Sequence, residues 1–209
     1  GVATASGMSA ILATCLATLE SGDHIVAAHT LFGSTIGMFN NYLAKLGIST
    51  SYVSPEDIDA WKAAITPATR MLFVETPSNP LTEVVDMAAL ADIANANKAL
   101  LVVDNCFCTP ALQRPLDFGA HVVTHSATKF LDGQGRALGG AVVGDAVQVG
   151  VAGVGRDVGL GADAVELVLD RDRHLHLAAD LFGQRPLVAR LGGCGQHERD
   201  GVKHAERGL

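Results

Sequence analysis

Lys129 lies in THSATKF at 124–130, close behind the hydroxyls of Ser126 and Thr128 and followed by Phe130. A lysine amine is a poor nucleophile while it remains a solvated ammonium. Partial desolvation and nearby cations lower its pKa and free the lone pair. Hydroxyls and backbone N–H groups at a strand end hold a phosphate well. A lysine beside a phosphate site suits a Schiff base to pyridoxal phosphate, and that chemistry makes two further demands. A carboxylate must keep the cofactor's pyridinium nitrogen protonated. Asp104, which closes the apolar run ALLVVD at 99–104 and precedes Asn105, is placed for that role. The phosphate also needs small residues at a helix N-terminus, where unpaired N–H groups and the helix dipole favour an anion. ASGMSAI at 5–11 offers Ser6, Gly7 and Met8.

These residues need a scaffold that brings distant segments to one edge. Met8, Ile11, Leu12, Cys15, Leu16 and Leu19 recur at helical spacing until Ser21-Gly22-Asp23 stops the run. HIVAA at 24–28, ISTSYV at 48–53, RMLFVE at 70–75, ALLVVD at 99–104, HVVTH at 121–125 and GGAVVG at 139–144 predict strands. Helices are predicted over 33–46 and over 86–97, the latter opened by Asp86. Another follows Ser54-Pro55-Glu56-Asp57, with a cap, a first-turn proline, early acids and a buried face of Ile58, Trp61 and Ile65. Strands that are apolar throughout and alternate with helices predict an α/β fold, a mostly parallel sheet with helices on both faces. Ligands in such folds bind beyond the carboxyl ends of the strands. The chain opens on GVATASGMSAIL, which reads as a fragment entering a helix without a leading strand or cap of its own.

Composition narrows the function classes. The apolar fraction is 48% and the net charge −7 with no basic tract, which argues for a globular protein without a nucleic-acid partner. No apolar run is long enough for a bilayer and no charged-then-apolar leader is seen, so the expectation is a cytoplasmic protein with no membrane partner. Cys15, Cys106, Cys108 and Cys194 lack the density of a disulfide framework and read as reduced thiols. Cys106 and Cys108, on one face of a strand-like segment, read as packing rather than a metal site.

The vocabulary changes at residue 146. Residues 146–209 contain no Ser, Thr, Asn, Ile, Met, Tyr or Trp, yet hold seven of the ten arginines and eleven of the 23 glycines. A GC-rich coding sequence read out of frame gives such a composition. The expected organisation is a cofactor-binding large domain over 1–145, lacking an N-terminal segment, and an atypical, non-native continuation over 146–209; the alternative is a genuine but biased terminal segment. His174, His176, Cys194, His197 and His204 in that tail fit no standard zinc spacing.

SGMSAI, ETPSNP at 75–80, VVDNCFCTP at 102–110 and HSATKFLDGQGRALGG at 125–140 occur in an order that resembles the Cys/Met-metabolism family of pyridoxal-phosphate enzymes. That family includes cystathionine γ-synthase and γ-lyase, methionine γ-lyase and the homoserine-ester sulfhydrylases. HSATKF, GQGR and Phe32 in LFGST are most similar to the O-succinylhomoserine sulfhydrylases. The resemblance implies the large domain of a fold-type I transferase with pyridoxal 5'-phosphate as cofactor. Lys129 would carry the cofactor and shuttle protons, and Asp104 would pair with the pyridine nitrogen. Gly7, Met8, Ser126 and Thr128 would hold the phosphate. Asn79 would sit near the phenolic oxygen, or serve only as a turn residue between prolines. Phe32 would stack on the ring where many relatives have Tyr, or belong to the core. The implied reaction joins an amino-acid substrate, an O-acylhomoserine, to sulfide or a thiol; a γ-lyase and an inactive truncated remnant are the alternatives. Intact members are homotetramers built from dimers. A neighbouring subunit's N-terminal segment and a C-terminal arginine complete their site, and neither has a counterpart in this sequence as read.

Overall fold

The computed structural model describes residues 1–144 and the backbone of three further strands, Glu166–Leu169, Leu175–Ala178 and Leu187–Ala189. Those strands apart, the expectations for residues 146–209, including the His and Cys cluster and the frame of the tail, fall outside the described residues.

The chain opens with a strand, β1 (Val2–Thr4), and a fully capped helix, α1 (Gly7–Thr18), which corrects the expectation of neither. Three residues are too few to show alternation, and β1 exists through a partner far along the chain. Ser6 is the N-cap: its hydroxyl accepts from Ser9 N–H at 3.1 Å, and Ser6 N–H donates to Ser9 Oγ at 2.8 Å. This is a capping box with Ser in the place usually held by Glu or Gln. α1 is apolar around most of its circumference. Ala10, Ile11, Thr14 and Cys15 are buried, but Leu16, expected on the inner face, is exposed.

β2 (His24–Ala28) is buried at every position. The expected helix over 33–46 begins as α2 (Gly33–Met38), loosens into a π turn at Phe39–Leu43 and tightens into a 3-10 turn at Ala44–Leu46. Asn40, Asn41 and Tyr42 are weak α-helix formers, and Gly47, at φ 83°, ends the run. β3 (Ser49–Val53) follows. α3 (Ile58–Ala64) starts later than expected, because Asp57 is its cap, accepting from Ala60 N–H at 2.9 Å. Ser54-Pro55-Glu56 instead forms a turn, closed by Asp57 N–H to Ser54 C=O at 3.3 Å. Trp61 of α3 is fully buried, while Ile58 and Ile65 are half-buried.

β4 (Thr69–Glu75), α4 (Met87–Ala96), capped by Asp86, and β5 (Leu100–Asp104) lie within a residue of expectation. A short helix, α5 (Thr109–Leu112), and a 3-10 turn at Pro115–Phe118 lead to β6 (Val122–Ser126) and then β7 (Gly140–Gly144). Glu166–Leu169, Leu175–Ala178 and Leu187–Ala189 are β8, β9 and β10.

All ten strands form one sheet, ordered β10-β9-β8-β1-β7-β6-β5-β4-β2-β3. β3, β2, β4, β5 and β6 run parallel. β7 is antiparallel to β6, and β1 antiparallel to β7, so β1 points the same way as β6. The mostly parallel sheet is therefore as expected. Right-handed crossovers place α2, which joins β2 to β3, on one face, and α3 and α4 on the other. The contacts agree: α1 packs with α2, and α3 with α4. In the core Phe39 meets Phe73 edge to face, with ring centroids 5.2 Å apart. No helix among the described residues is long and apolar enough to cross a membrane.

Candidate active site

β2 and β4 are neighbours whose onward connections run in opposite directions across the sheet, and such a switch point opens a crevice at the carboxyl edge. Every expected site segment reaches that edge. β2 leads to Phe32, β4 ends at Glu75 ahead of Asn79, β5 ends at Asp104, and β6 ends at Ser126 ahead of Thr128 and Lys129. Register aligns these ends: Glu75 pairs with Asp104, and Asp104 with Thr124. Because β1 points as β6 does, Thr4 and Ser126 both lie opposite Gly140, and the start of α1 arrives at the same edge.

The α1 terminus is built for close approach. A Cβ on Gly7 would come within 2.7 Å of Ser126 Cβ, nearer than side chains tolerate, so glycine is what lets the helix start rest against the end of β6. A Cβ on Gly140 would collide with the Ser6 carbonyl. The capping box consumes the Ser6 and Ser9 N–H groups, and Ala10 N–H bonds Ser6 C=O. The N–H groups of Gly7 and Met8 are thus left over among the orphan donors of the first turn. Ser6 therefore acts as a cap that leaves its two neighbours free to donate. Across the junction, Gly139 N–H donates to Thr128 Oγ1 at 3.3 Å and Ala127 N–H to Gly139 C=O at 2.9 Å, which fastens the lysine turn to the start of β7.

Lys129 sits at a kink, with φ −88° and ψ −123°, in the π turn Ala127–Leu131. Its side chain is exposed, which corrects the expected partial desolvation, and Phe130 beside it is also exposed. Its positive charge nevertheless reaches the acidic end of the crevice, where it opposes the upward shift of the Cys106 thiol. Asn79 is half-buried in a loop tied by Ser78 and Glu83, main chain to main chain at 3.0 Å. Phe32 is 44% exposed and outside the core.

Asp104 is buried, and its pKa is pushed up from 3.8 to about 7, first by desolvation and then by the neighbouring charge of Glu75; the Cys106 main-chain N–H and thiol oppose the rise. Glu75 is also raised by burial, against the Phe32 N–H, which it accepts at 2.7 Å, and the Cys106 thiol. Neither carboxyl forms an ion pair among the described residues. One ligand atom from each of Glu75, Asp104 and Cys106 lies within 4.8 Å of the others. Cys106 and Cys108 are unbridged and lie in a turn after β5 rather than on a strand, with Cys106 buried and Cys108 half-buried.

Sequence reasoning missed two residues here. Glu75 closes an apolar strand as Asp104 does, and that repeated pattern was available to be read. His125 left no such signal: it is buried in β6, its Nδ1 has no hydrogen-bond partner, and desolvation lowers its pKa to about 4 against the Asn105 carbonyl.

A family model described as Cys/Met metabolism PLP-dependent enzyme matches residues 1–169. An O-succinylhomoserine sulfhydrylase of Pseudomonas aeruginosa is 58% identical over 148 residues, covering 71% of this chain and 37% of that protein. An L-methionine gamma-lyase of Pseudomonas putida is 44% identical over 144 residues, covering 69% and 36%. The crystal structure of cystathionine gamma-lyase from Lactobacillus plantarum complexed with L-serine superposes with a TM-score of 0.70 at 36% identity, over 73% of this chain and 40% of that one. The chain thus spans little more than a third of the length of the curated relatives it matches. Ordered motifs, a mostly parallel sheet with its site at the carboxyl edge, and these matches lead to one assignment: the chain belongs to the Cys/Met-metabolism family of pyridoxal-phosphate-dependent enzymes.

Proposed function

We propose that this chain carries the cofactor site of an enzyme that replaces the γ-substituent of an O-acylhomoserine, O-succinylhomoserine first, with sulfide or a thiol. Homocysteine or cystathionine would be the product, and succinate would leave. The support for that substrate is the 58% identity to a protein of that name. The observation that carries the reading is Asp104, a buried carboxyl without a cationic partner among the described residues, set at the edge where the α1 terminus and Lys129 also arrive.

The residues fit pyridoxal phosphate. Gly7 and Met8 N–H groups, with the Ser126 and Thr128 hydroxyls, would hold the phosphate at a spot where any larger residue at Gly7 would intrude. Asp104 would take the pyridinium, Asn79 would lie near the phenolic oxygen, and Phe32 would offer a π face. When bound, the cofactor supplies an electron sink for the charge left at Cα. Lys129 Nζ then moves protons: it takes the Cα proton of the substrate and returns protons later in the cycle. Asp104 holds its charge against the pyridinium throughout, since loss of that carboxylate would remove the reason for the ring nitrogen to stay protonated. Phe32 keeps the stacking face that a Tyr would give and lacks the acid–base capacity of a phenol. Similarity to L-methionine gamma-lyase supports a second outcome from the same early steps, in which elimination ends without sulfur addition.

Addition of pyridoxal phosphate to the purified chain, followed by borohydride reduction and peptide mapping, tests the reading. The expected result is a single reduced label on Lys129, absent in Lys129→Ala. A label spread over Lys45, Lys62 and Lys98, or none, overturns it.

A further inference from the structure

Glu75 plays no part in the proposed reaction, yet its place is unusual. It is 2% exposed, it closes β4 beside the switch point, and among the described residues it has no cation to balance it. A buried carboxylate is unfavourable unless hydrogen bonds or charges compensate, and an apolar residue would suit the core better. What Glu75 does hold is specific. Its Oε2 accepts the Phe32 N–H at 2.7 Å, and its Oε1 faces the Cys106 Sγ at 3.9 Å. The other side of the same residue is fixed as well, since Phe32 C=O accepts the N–H groups of Thr35 and Ile36 at 2.8 and 3.2 Å. Phe32 therefore has its main chain pinned on both sides, while its ring is 44% exposed and touches no other aromatic ring among the described residues. The clamp fixes the main chain from which the ring departs.

We propose that Glu75 is the positioning residue for Phe32: it clamps the Phe32 main chain to the end of β4, so that the ring is presented to the cofactor beside Asp104. The clamp spans the switch point, tying the loop after β2 to the strand that carries the Asp104 partner. The inference rests on the proposed function for what the ring meets, but the clamp itself does not require the cofactor.

Two measurements on the full chain separate these parts. In the cofactor-free chain, amide hydrogen exchange at Phe32 should quicken about tenfold or more in Glu75→Leu, which loses a charge-assisted bond, while the Leu72 amide in β4 stays protected. Glu75→Gln keeps an acceptor oxygen and should retain most of the protection. For pyridoxal phosphate affinity, read by titration, Glu75→Leu and Phe32→Leu should each weaken binding, and the double variant should bind no worse than the weaker single one. Unchanged Phe32 exchange in Glu75→Leu overturns the clamp. Penalties that simply multiply in the double variant overturn its action through Phe32. Should the unmodified chain bind no pyridoxal phosphate, the proposed function and the Phe32 presentation fall together, and the exchange result still decides the clamp.

Discussion

Asp104 is the residue whose chemistry depends most on what surrounds it. Glu75 faces it from β4 and Cys106 from the turn after β5, while the charge of Lys129, in the turn after β6, acts on the Cys106 thiol. In the cofactor-free chain its folded pKa, about 7, lies above its ordinary 3.8. Between those values the unfolded chain gives up the proton while the folded chain keeps it, so stability falls as pH rises from about 4 to about 7 and levels off above. A shift of that size is worth on the order of 4 kcal/mol at most. Thermal unfolding of the cofactor-free chain should therefore show a melting temperature that declines over this window, and Asp104→Asn should flatten the decline. Parallel pH profiles for the two proteins would contradict it. With pyridoxal phosphate present, Asp104→Asn should weaken binding by about tenfold to a hundredfold, the worth of a hydrogen bond to a charged partner. Lys129 and Asp104 were legible in the sequence because a nucleophile and an acid at strand ends are informative types in informative places. Glu75 was not read, although it closes an apolar strand as Asp104 does, because the cofactor chemistry called for only one carboxylate. His125 was illegible for a deeper reason: its burial depends on elements distant in sequence, α1 among them, that pack with β6, and no local pattern announces them.

At the level of elements, caps and glycines make separable claims. Asp57→Ala should cost about 1 kcal/mol, the usual worth of an N-cap, whereas Ser54→Ala should cost little, since Ser54 supplies only a carbonyl to its turn. Denaturant titrations of the two variants distinguish the caps, and equal losses would reject the assignment. Gly7→Ala places a methyl against Ser126 and should cost about 1–3 kcal/mol through overpacking. Gly37→Ala in α2, where the nearest atom is Asn41 Nδ2 at 3.9 Å, should gain about 0.5–1 kcal/mol instead. Gly7→Ala should also weaken cofactor binding while Gly37→Ala leaves it unchanged. Strands and most helices could be read because the parallel centre is apolar at nearly every position. The boundary of α3 was misplaced because Ser-Pro-Glu-Asp contains two acceptable caps, and only tertiary fit chooses between them. The loss of α geometry at Phe39–Leu43 was not legible, since propensity alone does not say where a helix will loosen.

For the molecule as a whole, composition and topology each carry a consequence. The break in vocabulary at 146 remains a proposal of non-native continuation; reading the source gene across that codon should show a second frame that resumes the family pattern, and a continuous frame encoding this same tail would refute it. Topology bears on how the site comes into being. β1 pairs with β7 through Val2–Val142, Ala3–Ala141 and Thr4–Gly140, contacts between segments far apart in the sequence. The sheet partners of β1 are β7 and β8, so β1 has nothing to pair with until β7 has been made. The α1 terminus depends on the same late arrival, because Ser126 and Gly140 are the surfaces on which it rests. Contacts of such long sequence separation are slow to form. β1 and the start of α1 would thus be among the last segments to find their place, a late event in folding visible as delayed protection of the Ala3 and Thr4 amides in pulse-labelled refolding.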